Sequence, residues 1–155
     1  MTSHLDKKNR PKIVDISAKK QTIRIAKASG RINFTKNIFN KISSFKTKKG
    51  EIINIAIIAG IMGAKKTSEI IPLCHNIEIE NIDVKILPIK NSSSLKVISE
   101  VKSKGKTGVE MEALTAVSCA CLTIYDMCKS IDKKIEITDI KLLEKKGGKS
   151  NFKNS

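Results

Sequence analysis

Tryptophan is absent and aromatic residues make up 3% of the 155-residue chain. That removes the stacking platforms on which single-strand nucleic-acid binding depends. Arginine is almost as scarce, with three residues (Arg10, Arg24 and Arg31) against 27 lysines. Base-edge readout favours the planar arginine fork, so this balance weighs against sequence-specific nucleic-acid recognition. No run approaches the ~20 apolar residues that span a bilayer. The first twelve residues are polar and basic, without the apolar stretch of a secretory signal, so a cytoplasmic chain with no membrane partner is expected. Under that expectation the four cysteines, Cys74, Cys119, Cys121 and Cys128, read as reduced thiols. No C-x-x-C or His-x-x-x-His pair occurs, and Cys119 and Cys121 would sit ~200° apart around a helix. No metal site is therefore expected, and the three later thiols read as small buried hydrophobes.

What is present in excess is charge of one sign. Thirty basic residues against 15 acidic ones leave a net charge of +15. The chain also holds 26 isoleucines, which selection for charge would not produce. A shared bias toward Lys, Ile and Asn reads as compositional drift that filled a solvated surface with lysine. Only position can single out the lysines that work. The length fits one domain, divided here into a flexible basic arm (1–12), a single domain (13–146) and a polar tail (147–155).

Along the chain, Ile13–Ser17 alternates apolar and polar residues and predicts a short strand. A second alternation through Ile23 and Ile25 ends near Gly30. Thr35 is placed to cap a helix carrying Ile38, Phe39 and Ile42. Glu51–Lys66 predicts a buried helix in which Gly60 and Gly63 permit close packing, and Pro72 ends the helical stretch. Ile77 and Ile79, then Ile82, Val84 and Ile86, alternate in two registers with a one-residue slip, the mark of a bulge. KNSSS (90–94) is the turn to a return strand through Leu95, Val97 and Val101. Gly108–Lys129 predicts the longest helix, with Met111, Leu114, Cys121, Tyr125 and Cys128 along its apolar stripe. Ile135, Ile137 and Ile140 mark a last strand. The order predicts an α+β, ferredoxin-like βαββαβ sandwich, an antiparallel sheet with long helices on one face.

Three strings carry candidate chemistry. Ile71-Pro72-Leu73-Cys74-His75 places a thiol and an imidazole on a connection, where flanking elements hold side chains in place. Lys106-Thr107-Gly108-Val109-Glu110-Met111-Glu112 opens the long helix. Its Gly-Lys-Thr-Gly start lacks the earlier glycine of a Walker A loop, which excludes a nucleoside-triphosphatase P-loop. In the third string Asp126 sits in a last helical turn, against the macrodipole, with Lys129 on the same face. A purely structural sequence avoids an acid there. Glu112 and Asp126 lie within ~40° of one face but ~21 Å apart along the helix, so one small-molecule site cannot take both from the same helix. Either they serve different sites or a second subunit supplies one of them.

Together these strings resemble the MoaC family of molybdenum cofactor biosynthesis. The matching pieces are IVDIS (13–17), KKGE (48–51), IAGIMGAKKT (58–67), IPLCH (71–75), GKTGVEMEALTA (105–116), LTIYDMCK (122–129) and GGKS (147–150), in family order. The resemblance implies a lyase that takes a cyclised dihydroguanosine triphosphate, made by a radical-SAM partner, to cyclic pyranopterin monophosphate with release of pyrophosphate. It implies Asp126, Lys129 and Lys49 as catalytic residues. Leu73, Cys74, His75, Glu110, Met111, Glu112 and Lys145 would contact the small nucleotide substrate. It further implies a homohexamer, a trimer of dimers with inter-subunit sites. No cofactor is required; Mg could assist the departing pyrophosphate, but no ligand cluster demands it. Ile57, Ser68 and Asn76 depart from the usual Arg, aromatic and Pro, and the tail is one residue shorter than the usual GGKSGD. The competing reading, a lysine-rich nucleic-acid-binding protein, would need a basic face with interleaved aromatics.

Overall fold

The computed structural model describes residues 4–6, 8–42, 46–47 and 50–154. Four long strands form the frame: β1 (Thr22–Asn33), β4 (Ile79–Ile89), β5 (Ser94–Gly105) and β6 (Glu136–Lys146). A two-residue β7 (Phe152–Lys153) joins them, giving one antiparallel sheet in the order β4-β5-β1-β6-β7. Helices α2 (Ile52–Lys65) and α4 (Glu110–Cys128) complete the expected βαββαβ order. Shorter pieces fill the first crossover: α1 (Lys36–Lys41), the β2–β3 ribbon (Lys46–Thr47 and Gly50–Glu51) and α3 (Thr67–Ile70).

The β4–β5 hairpin turns through a 3-10 turn at Lys90–Ser92 and a left-handed Ser93. Its register slips between Ile79 and Asn81, as the two-phase isoleucine pattern predicts. β1 is the central strand, and its Ala26, Ala28 and Ile32 are fully buried. It runs through Gly30 to Asn33 rather than ending near the glycine.

α4 lies across this core. Its buried residues are Ala113, Ala116, Val117, Ala120, Cys121, Ile124, Met127 and Cys128, together with Glu112. The predicted stripe is thus rotated: Cys121 and Cys128 point inward, but Met111 is exposed. The two sides of α4 differ: Ala116 and Ala120 lie against Gly60 of α2, whereas Val117 and Cys121 lie against Gly30 of β1. The buried Ser99 hydroxyl of β5 donates to the Ala113 carbonyl at 2.8 Å, tying strand to helix. By length and hydropathy α4 alone among the described helices could cross a membrane, yet half of that window is buried inside the fold.

α2 packs beside α4 through its glycines. A Cβ on Gly60 would lie 2.9 Å from the Ala116 carbonyl oxygen, and one on Gly63 would lie 2.8 Å from the Cys119 Cβ. Backbone cannot yield as a side-chain tip can, so Gly60→Ala is expected to cost about 1–3 kcal/mol by overpacking. Urea denaturation of the variant beside the wild type checks this; an unchanged midpoint would show that the helices part freely.

Ile13–Ser17 is not a strand. The Asp15 carboxylate instead accepts the Ser17 N–H at 2.8 Å, a local turn that competes with ladder pairing. The segment is held from outside, by the His75 ring at the Val14 carbonyl and by Lys106 at the Ser17 carbonyl, each at 2.7 Å. Nor is the tail only a polar extension. Gly147 and Gly148 take φ of +92° and +81°, conformations that side chains resist. This turn returns the chain so that Phe152 and Lys153 pair with Lys145 and Glu144.

Candidate active site

The chain leaving α3 is closed by Pro72, and the Cys74 N–H bonds back to the Ile71 carbonyl at 3.1 Å. That turn sets Leu73, Cys74 and His75 side by side, each half-buried. His75 Nε2 lies 2.7 Å from the Val14 carbonyl. A carbonyl only accepts, so Nε2 carries the proton and Nδ1 is the nitrogen that can accept one. Opposite stands the first turn of α4, with Glu110, Met111 and Glu112. These residues enclose a hollow of 140 Å³ lined by Leu73, Cys74, His75, Glu110, Met111 and Glu112.

Glu112 is the unusual member. It is 3% exposed, and its Oε2 has no hydrogen-bond partner, the one such buried side-chain atom among the described residues. Burial pushes its carboxyl up to about 7, with the neighbouring Glu110 charge adding in the same direction. Burial also raises the Cys74 thiol, and the Glu112 charge adds to it. Burial disfavours the charged forms of Glu112 and Cys74, so this part of the hollow suits a neutral ring that brings its own N–H groups.

A raised folded-state pKa means the folded chain holds a proton that the unfolded chain has released. Glu112 therefore takes stability away as pH rises from about 4.5 to about 7. Glu112→Gln is expected to match the wild type below that window. Above it the variant should be more stable by up to about 3 kcal/mol. Denaturation midpoints at pH 4.5 and pH 8 check this; a difference independent of pH would contradict it.

Thr107, Gly108 and Glu110 also line a second and larger cleft of 520 Å³. Its basic residues come from four separate segments: Lys19 and Lys20 before β1, Arg24 on β1, Lys106 after β5, and Lys145, Lys146 and Lys149 around the end of β6. Glu110 is the one carboxylate among the lining residues, and Lys145 Nζ approaches it at 3.6 Å. Arg24 is fixed by donating from Nε to the Gly105 carbonyl (3.3 Å) and from Nη2 to the Lys106 carbonyl (3.4 Å). So dense a set of cations, several in fixed positions, suits a polyanion.

The structure thus brings Leu73, Cys74, His75, Glu110, Met111, Glu112 and Lys145 around two joined cavities. It does not bring Asp126 and Lys129 there. Those two form a 2.6 Å ion pair at the opposite end of α4, both about half-exposed, and neither lines the cavities. Lys49 lies outside the described residues. Sequence reasoning placed Lys106 in a candidate string but passed over Lys19, Lys20, Arg24, Lys146 and Lys149. The usable signals were the rarity of arginine, which marks Arg24, and the glycine pair that folds the end of β6 beside it. Among the described residues no three His, Cys, Asp or Glu side chains gather as a metal site would.

Comparison with known proteins shows the family. The model of the MoaC family matches residues 13–148. A cyclic pyranopterin monophosphate synthase of Helicobacter pylori (strain G27) is 51% identical over 155 residues, covering 100% of this chain and 98% of that protein. One of Campylobacter jejuni subsp. jejuni serotype O:6 (strain 81116 / NCTC 11828) is 54% identical over 148 residues, covering 96% and 94%.

Proposed function

Because the chain belongs to the MoaC family, we propose that it is a cyclic pyranopterin monophosphate synthase, a lyase of molybdenum cofactor biosynthesis. Its substrate is then a cyclised dihydroguanosine triphosphate, the product of a radical-SAM reaction in the same cytoplasm. One observation carries the reading. A cleft lined by seven basic residues opens, through Thr107, Gly108 and Glu110, into a small hollow that contains a buried protonatable acid. This is the outline of a triphosphate joined to a ring system.

The triphosphate lies along Arg24, Lys106 and Lys145, where lysine supplies point charge and the fixed arginine supplies a fork. The pyrimidinone body lies over Cys74 and His75. There the partnerless Glu112 oxygen accepts an N–H from the ring, and His75 Nδ1 takes or returns a proton as the rings open and close. A ribose oxygen attacks the α-phosphorus, a cyclic phosphodiester forms, and the α–β bond breaks with the electron pair leaving on pyrophosphate. The ribose proton passes to a base. Positioning and charge neutralisation supply most of what this displacement needs, and no redox group takes part.

Asp126 and Lys129 supply the base and its cation, but only if they reach the cavities of a neighbouring chain. We therefore place each site between two subunits, with Lys49 completing it, in the homohexamer, a trimer of dimers, that the family resemblance implies. Supplying the cyclised dihydroguanosine triphosphate and following pyrophosphate and pterin together tests the function. Both products in equal amounts support it, and neither product overturns it.

A further inference from the structure

The face of the sheet turned away from α4 carries a separate hollow of 320 Å³ that shares no lining residue with the active-site cavities. Gly30 faces Val117 and Cys121 of α4, so strand alternation turns its neighbours Ser29 and Arg31 to the opposite face. Three of the eight residues lining the hollow are cations, Arg31, Lys96 and Lys141, and one is a carboxylate, Asp139.

Their placement is costly in isolation. The β1–β5 register sets Arg31 directly across from Lys96, and the β1–β6 register sets Ser29 across from Lys141. Like charges directly opposite each other on a sheet destabilise it. Lysine drift explains Lys96 and Lys141 but not Arg31, one of three arginines in the chain. Of the others, Arg24 lines the substrate cleft and Arg10 pairs with Asp6 at 2.8 Å.

Arg31 is also held in place. Its Nη1 donates to the hydroxyls of Ser92 (3.3 Å) and Ser94 (3.5 Å), and its Nε faces Asp139 at 3.7 Å. Asp139 stands at φ +55°, where the β1–β6 register is irregular between Ser29 and Arg31. Such irregularities re-aim side chains. A positioned guanidinium flanked by two ammoniums, with one carboxylate among them, leaves an excess of two positive charges.

We propose that Arg31, Lys96 and Lys141 form a second anion-binding site, for a phosphate-type oxyanion such as pyrophosphate, on the face of the sheet away from the active site. The bound anion offsets the Arg31–Lys96 repulsion and accepts charge-assisted hydrogen bonds from the guanidinium and the ammoniums beside it.

Equilibrium dialysis of the full chain against labelled inorganic pyrophosphate tests this. The wild type is expected to bind two per chain. Arg31→Gln with Lys96→Gln should bind one, with turnover at saturating substrate unchanged. Lys106→Ala with Lys145→Ala should lose the other site and keep this one. At the open-face site the Arg31→Gln/Lys96→Gln loss should be about tenfold or more in affinity. Competition by inorganic phosphate shows whether one phosphoryl group suffices. One site per chain in the wild type, two in the Arg31→Gln/Lys96→Gln variant, or equal competition by chloride at matched ionic strength would each overturn the proposal.

Discussion

Asp126→Asn is expected to lower turnover by about 100- to 10,000-fold, the loss that follows removal of a general acid or base, and to leave the fold intact. The two halves of that expectation come from the same facts. Asp126 lies in the last turn of α4, where the macrodipole disfavours a carboxylate. Its bond to Lys129 is short at 2.6 Å, but both groups are about half-exposed. An exposed pair of this kind contributes little to stability. Structure alone gives little reason to keep an acid at this position. The hydrogen bond and charge of Asp126 hold the Lys129 ammonium above its usual range, so Lys129 stays a cation beside the Asp126 carboxylate. Initial rates of pyrophosphate release, with thermal unfolding of the same sample, separate the two effects. A variant within about twofold of wild-type turnover would remove Asp126 from the mechanism.

Lys145→Ala is expected to raise KM by about 10- to 100-fold, since a charge-assisted hydrogen bond to a phosphate is worth ~1.5–3 kcal/mol. Lys145 is a third exposed and sits 3.6 Å from Glu110 at the junction of the two cavities. Removing it takes away one cation and leaves the Glu110 carboxylate facing the phosphates. Binding should also become less sensitive to salt, because one fewer screened contact remains. Lys145→Arg should recover much of the affinity. Lys133→Ala, which removes an exposed lysine remote from both cavities, should change nothing. Steady-state kinetics at two ionic strengths decide it, and an equal effect at Lys133 would mean that only total charge matters.

Much of this was legible in the residue order. The two-phase isoleucine pattern of β4 located its bulge, and Gly60 and Gly63 marked α2 for close packing, though not its partner α4. What escaped was set by tertiary contact. IVDIS alternates like a strand, but its Asp15 turns the backbone locally, and His75 and Lys106 hold its carbonyls from outside. The α4 stripe was misjudged because two neighbours set its buried face at once, α2 against Ala116 and Ala120 and the sheet against Val117 and Cys121. The Cys74–His75 and Glu110–Glu112 strings could be read because they are short and chemically unusual. The basic cleft could not, since it is assembled from four distant segments in a chain where lysine has no contrast. Helical rise alone separated Glu112 from Asp126 and pointed to a second subunit, and the cavities bear out the separation within one chain.

Mixed-subunit complementation tests the shared site most directly. Asp126→Asn and Lys145→Ala chains, each poorly active at low substrate, are unfolded together and reassembled in equal amounts. If each site takes its cleft from one chain and its Asp126 from another, random assortment restores both wild-type parts in ~25% of sites. About a quarter of wild-type activity is the predicted result. Activity no greater than that of the separately refolded variants would place Asp126 and the cleft in the same chain and contradict the account.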